Sequence, residues 1–313
     1  MAYIGPFAFN GIRFALGALV LAPLAWRRRP LFPHGHDVSA SRAHGHDASA
    51  SRAHGRDESA PRARPLVLRD GLIAGLILFA GASLQQIGMV YTTAGKAGFI
   101  TSLYVVLVPL LGVLFFRYRV GFYNALAALL AAAGLYLLSM HGRLALERGD
   151  AFILAGAFAW ALHVLVIARF AARSDPLRLA SLQFAICGIL SLLVMAFRET
   201  PTPAGLRGAL LPLLYGGLLS VTVAYTLQVV AQRHAHPAPA AIILSLEAVF
   251  AAIGGALVLR EALSSRELAG CVLMLAGVIL SQARGRAALP QAQPSGERAD
   301  TAVSPARGGA RGR

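Results

Sequence analysis

The sequence predicts an all-α membrane protein with nine spanning helices, arranged as two copies of one unit that cross the bilayer in opposite senses. Three observations carry this. The 313 residues are 57% hydrophobic and only 14% charged, with mean hydropathy +0.62. The apolar residues come in runs of about twenty, the length that crosses a hydrocarbon core. A long stretch of the first half also recurs in the second half, an odd number of runs later. Backbone groups in lipid must bond within their own segment, so these runs are read as helices.

The first run, Gly5 to Trp26, follows Met1 with no basic stretch before it, and Arg27, Arg28 and Arg29 come after it. That order favours a retained helix that starts outside the cytoplasm over a cleaved leader. A polar insert, residues 27–70, holds one decapeptide written three times, at His34, His44 and His54. The runs then continue as Gly71 to Tyr91, Ala97 to Phe116, Phe122 to Met140, Asp150 to Phe170 and Leu177 to Phe197. Ala209 to Ala231, Pro237 to Leu259 and Glu267 to Gln282 complete the nine. The short links after the third and eighth runs suit antiparallel neighbours. Residues 283–313, rich in Gly, Pro, Ala and Arg, read as a disordered tail.

The net charge of +15 and pI of about 11.2 would suggest a nucleic-acid partner in a soluble chain. Here the arginines sit between apolar runs. Sorted by side, 21 basic residues fall with the 27–70 insert and the tail, and 7 fall opposite. That excess places the insert and the tail in the cytoplasm and accounts for the charge without nucleic acid. Cys187 and Cys271 lie inside runs and form neither a disulfide framework nor a metal cluster.

The repeat fixes the architecture. At an offset of 143, Ala97–Ser139 falls on Ala240–Gln282 with 12 of 43 positions identical, among them Ser102/Ser245, Gly112/Gly255, Arg117/Arg260 and Gly134/Gly277. The same offset pairs Leu84-Gln85 with Leu227-Gln228. RFALG at Arg13 pairs with QFAIC at Gln183, at an offset of 170. The copies are five runs apart, so they cross in opposite directions, as in many secondary transporters with a midplane site. The fifth run has no partner, so the expectation is a ten-helix design whose first helix is missing. The units are 1–140 and 150–282.

Polar residues inside these runs are the candidate site. A charge at mid-bilayer costs roughly 2.5–3.5 kcal/mol on insertion scales, so it should face a cavity or a partner. Arg13 lies about 12 Å beyond Gly5 along a helix, and Glu247 is similarly deep. Either the two charges flank an aqueous site, gripping a zwitterion or passing protons, or they form a salt bridge between helices. Gln85 and Gln228 occupy equivalent places, suited to a central site or to bonds between helices. Gln86 lies about 100° further round and cannot share that face. Tyr104, Trp160 and Tyr225 are either cavity walls or packing. His163, one turn after Trp160, is a proton relay or a satisfied core histidine. Lys96 reads as an anchor snorkelling at a membrane edge.

GPFAFNGIRFALGALVLAP, YTTAGKAGFITSLYVVLVPLLG and AIILSLEAVFAAIGGALVLREALSSRELAGCVLMLAGVIL resemble the EamA-type transporters of the drug/metabolite transporter superfamily. The likeness covers most of residues 5–282. It implies ten helices in two inverted repeats, cytoplasmic termini and export of metabolites or amino acids. Two positions depart from the family pattern. Ala248 replaces the proline that helps break the helix in relatives, and Tyr118 stands where an acidic residue is usual.

The histidine tract offers HxHD groups, so His34, His36, His44 and His46 are the only candidate metal ligands. No ligand set recurs inside the runs, and a low-complexity tract accounts for the pattern. The expected function is secondary-active export of a small polar metabolite, amino acid or drug by alternating access, in a bacterial inner membrane. Partners are the solute, the bilayer, a coupling proton and a second copy of the chain. No cofactor is expected, and no nucleotide-binding loop is present. The alternatives are a divalent-metal transporter using the His loop and a membrane-embedded enzyme. The enzyme reading lacks HExxH and paired intramembrane aspartates, leaving only His234 and His236 at a membrane edge.

Overall fold

The computed structural model describes residues 3–27, 60–92, 94–139, 148–258, 260 and 264–285. Among them, nine helical stretches are long and apolar enough to cross a membrane. They are α1 (Pro6–Arg27), α2 (Ala60–Gly88), α3 (Lys96–Phe116), α4 (Phe122–Ser139), α5 (Arg148–Ala171) and α6 (Pro176–Arg198). α7 (Leu210–Gln232), α8 (Pro237–Gly254) and α9 (Ser265–Gly285) follow. No strand occurs among the described residues.

The two copies pack as the offsets demand. α4 lies on its copy α9. A Cβ on Gly134 would come within 2.5 Å of Gly270 O, and one on Gly277 within 2.8 Å of Ala127 O. As one number rises the other falls, so the pair is antiparallel. α1 packs in the same way on its copy α6, with Gly11 against Leu192 and Gly188 against Ala15. Small residues let these backbones approach closely, which is how helices associate where lipid offers no hydrophobic drive.

Both repeats carry the same local irregularities. α3 is interrupted at Leu103, between Ala94–Ser102 and Tyr104–Phe116. α8 is interrupted at Ser245 and Leu246, which are the copies of Ser102 and Leu103. The α8 break forms without the family's proline. Ser245 Oγ donates to Ile242 O at 2.7 Å, a bond that competes with the regular helix pattern. Arg117 and Arg260, also copies, both adopt left-handed backbone, with φ of 53° and 56°. At the first of them Tyr118 N donates to Gly112 O at 2.9 Å, closing the helix end.

Three sequence expectations change. α2 begins at Ala60, not Gly71, so residues 60–70 of the supposed insert are helical. Asp70, inside this helix, is neutralised by Arg173, with Nε–Oδ2 at 2.9 Å and Nη2–Oδ1 at 2.5 Å, and Ser174 Oγ donates to it as well. That hydrogen bond raises the Arg173 pKa above its ordinary value, so the guanidinium stays charged at any working pH. Lys96 is not a lipid-facing anchor: its Nζ sits 2.6 Å from Asp150 Oδ2, a buried carboxylate that also accepts from Thr92. α9 runs on to Gly285, past the expected end at Gln282.

Candidate functional site between the repeats

The interruptions in α3 and α8 position the first part of the site. Tyr104 opens the second half of α3, and Glu247 opens the second half of α8. At an offset of 143 these two residues are copies of one another. Glu247 lies within electrostatic reach of both Tyr104 and Tyr225. Glu247 is exposed while Tyr104 and Tyr225 are half-buried. Glu247 also stands in the first turn of a helix, where the dipole favours negative charge.

Arg13 forms a second part. It is buried against α7, with Gly216 accommodating its stem: a Cβ there would lie 3.4 Å from Arg13 Cδ. Its guanidinium carbon lies 5.1 Å from the Phe9 ring centre and 4.9 Å from that of Phe14. Aromatic faces attract a cation, and desolvation strengthens the effect. No ion pair joins Arg13 to Glu247 among the described residues, so the direct salt-bridge reading fails. Tyr225 instead interacts with both charges.

The third part is a buried polar contact. His163 Nε2 donates to Gln183 Oε1 at 2.8 Å. Trp160 meets His163 edge-on at 5.9 Å and Tyr225 at 6.0 Å, between ring centres. Trp160 Nε1, His163 Nδ1 and Gln183 Nε2 are buried without partners. Such groups are costly unless something intermittently satisfies them. Gln183 was a repeat marker in the sequence, not a candidate. Yet it is the copy of Arg13, so the chain places a cation on one side of the axis and an amide on the other.

The two glutamines diverge. Gln85 Nε2 donates to Thr101 Oγ1 at 3.3 Å, tying α2 to α3. Leu244 stands at the copy of Thr101, so Gln228, half-buried, has no such hydroxyl to reach. The structure therefore brings Arg13, Tyr104, Tyr225 and Glu247 into one electrostatic group and links it through Trp160 to His163. Gln85 serves a helix contact. Metal ligation finds no support among the described residues, where no cluster of three His, Cys, Asp or Glu occurs. His34, His36, His44 and His46 lie outside the described residues.

Comparison with known proteins agrees with this architecture. The model of the EamA-like transporter family matches residues 1–140 and 147–282. An "Uncharacterized transporter" of Archaeoglobus fulgidus is 31% identical over 281 residues, covering 90% of this chain and 78% of that protein. An "Uncharacterized transporter" of Methanothermobacter thermautotrophicus is 25% identical over 206 residues, covering 64% of this chain and 60% of that one. A protein crystal structure superposes with TM-score 0.67 at 17% identity, covering 91% and 89% of the two chains, a likeness of fold alone. With paired repeats, nine apolar helices among the described residues and these matches in hand, the chain belongs to the EamA-like transporter family and is a multi-pass integral membrane transporter of small-molecule solutes.

Proposed function

We propose that this transporter is a secondary-active exporter of a small polar metabolite, amino acid or drug, working by alternating access in a bacterial inner membrane. The observation that carries the reading is that Tyr104 and Glu247, copies of one position, stand at the broken points of α3 and α8 and interact electrostatically. A site made from equivalent points of two inverted units can face either side as the units rock about it.

In this reading Glu247 accepts a solute cation or a coupling proton. Arg13 balances the charge and receives an anionic group, so the pair grips a zwitterion. Tyr104, Tyr225 and Trp160 wall the site. Gln228 donates or accepts to the solute, Gln85 holds α2 against α3, and His163 with Gln183 extends the polar path. Energy comes from a proton or from exchange. A homodimer would leave this pathway within each copy.

The test begins with identifying the solute, by comparing metabolites in medium from cells with and without the chain. Uptake of that solute is then followed in inverted vesicles. Glu247→Gln is expected to slow uptake at least tenfold and Gln228→Ala severalfold, both with normal membrane insertion. Wild-type uptake by both variants would overturn the site.

A further inference from the structure

A cavity of about 220 Å³ lies near the membrane face where α1 begins, between α1, α2 and the start of α7. Phe9, Met89, Ala209, Pro212 and Tyr3 give it largely apolar walls, and Gln86 adds the polar group. Gln86 is 7% exposed, and its amide makes no hydrogen bond among the described residues. Apolar walls with one or two placed polar groups are the usual make-up of a small-molecule site. Size narrows the occupant: an apolar cavity of about 150 Å³ holds benzene, so this one has room for a ring and a short substituent. No charged side chain is among its lining residues, which disfavours an ion.

Phe9 connects the cavity to the rest of the molecule. It lines the cavity and also carries the Arg13 guanidinium over its ring at 5.1 Å. One side chain thus touches both the cavity and the buried cation of the central group.

We propose that this cavity is a binding site for a small uncharged amphipathic molecule, one ring or branched apolar body bearing an amide-like group that pairs with Gln86. Phe9 joins it to the buried Arg13 guanidinium. The site's place on the solute's path rests on the transport reading above; its binding does not.

The experiment uses the full chain in lipid nanodiscs with 4-fluorobenzamide as probe and 4-fluorotoluene as its apolar match, both followed by fluorine NMR against empty nanodiscs. Wild type is expected to bind 4-fluorobenzamide saturably. Gln86→Leu should weaken that binding tenfold or more and leave 4-fluorotoluene unchanged or tighter. Ala209→Leu, which fills the space, should weaken both. Each variant is first checked for monodisperse elution. If signal matches empty nanodiscs, or neither variant changes it, the cavity holds only lipid chains and the proposal falls. Lost binding alongside Glu247-dependent uptake removes this site alone. Binding without uptake removes the transport reading and leaves the site.

Discussion

α2 carries GASLQQIG over residues 81–88, and its copy α7 carries AYTLQVVA over residues 224–231. The pattern of small residue, Leu-Gln and small residue is shared, but the surroundings are not. On α2 that face is covered by α5: Gly81 meets Trp160, Gly88 meets Ile153, and Gly156 lies against Leu84 and Gln85. On α7 the matching Ala224, Leu227 and Ala231 are exposed. Half of the α2 span is buried, against 28% of α7. The backbones differ too. α2 is a regular α-helix, whereas Tyr215–Tyr225 of α7 is a π-helix in which Thr222 Oγ1 donates to Gly217 O at 2.8 Å. Such widened turns are frequent at functional sites. The lesson is that the repeat fixes which helices pair across the axis, while contacts made in one half alone decide how much of each copy is covered.

The strongest way to break the comparison is to remove what both halves share. Gly134→Leu places a side chain against Gly270 O in the α4–α9 contact. It is expected to abolish recovery of monodisperse protein, measured by fluorescence-detected size exclusion. Gly254→Leu, with nothing within 4 Å of the added carbon, should leave recovery intact.

Next comes the link that only α2 possesses. Arg173→Ala leaves the fully buried Asp70 carboxylate with Ser174 alone, and breaking a buried pair costs about 3 kcal/mol when one partner is half-exposed. Thermal stability in detergent should fall by several degrees, and by the same amount anywhere between pH 6 and 9. The raised pKa of Arg173 keeps its contribution present below the ordinary arginine value and loses it only above that value.

A smaller effect is expected on the α1–α6 axis. Glu199 accepts from Phe7 N at 2.9 Å and Ala8 N at 2.8 Å, capping α1 from the far end of α6. Glu199→Ala should cost about 1–2 kcal/mol, the scale of a lost helix cap, read from the melting midpoint.

The finest test exchanges the two glutamine environments. Thr101→Val removes the Gln85 bond and should cost about 0.6 kcal/mol, the average for such bonds in membranes. Leu244→Thr offers Gln228 the missing hydroxyl and should raise the melting midpoint slightly. No change in either variant would mean that the bond contributes nothing in either half.

Much of this was legible in the sequence. Span number and inverted pairing follow from run length and two offsets, because both depend on the chain alone. The start of α2 was not legible: the apolar run begins at Gly71, and only the structure shows Arg173, a hundred residues away, neutralising Asp70 within the helix. The α8 break seemed to need a proline at Ala248, yet the hydroxyl of Ser245 accompanies it. The choice between Gln85 and Gln86 turns on neighbours around the helix, and the structure gives Gln85 to Thr101 and Gln86 to a cavity. Gln183 was visible only as the partner of Arg13, and nothing in the sequence signalled its bond to His163.

The central claim is that the copies Tyr104 and Glu247 meet at a watery space within the membrane. It is tested most directly by the reactivity of Glu247→Cys toward a charged, membrane-impermeant methanethiosulfonate in intact membranes open to both sides. Wild type, whose Cys187 and Cys271 are both buried, serves as background, and Leu257→Cys, exposed where the second half of α8 continues to Val258, serves as the lipid-facing control. The account predicts rapid labelling at 247 and little at 257. Equal protection of both positions would place Glu247 against acyl chains and contradict it.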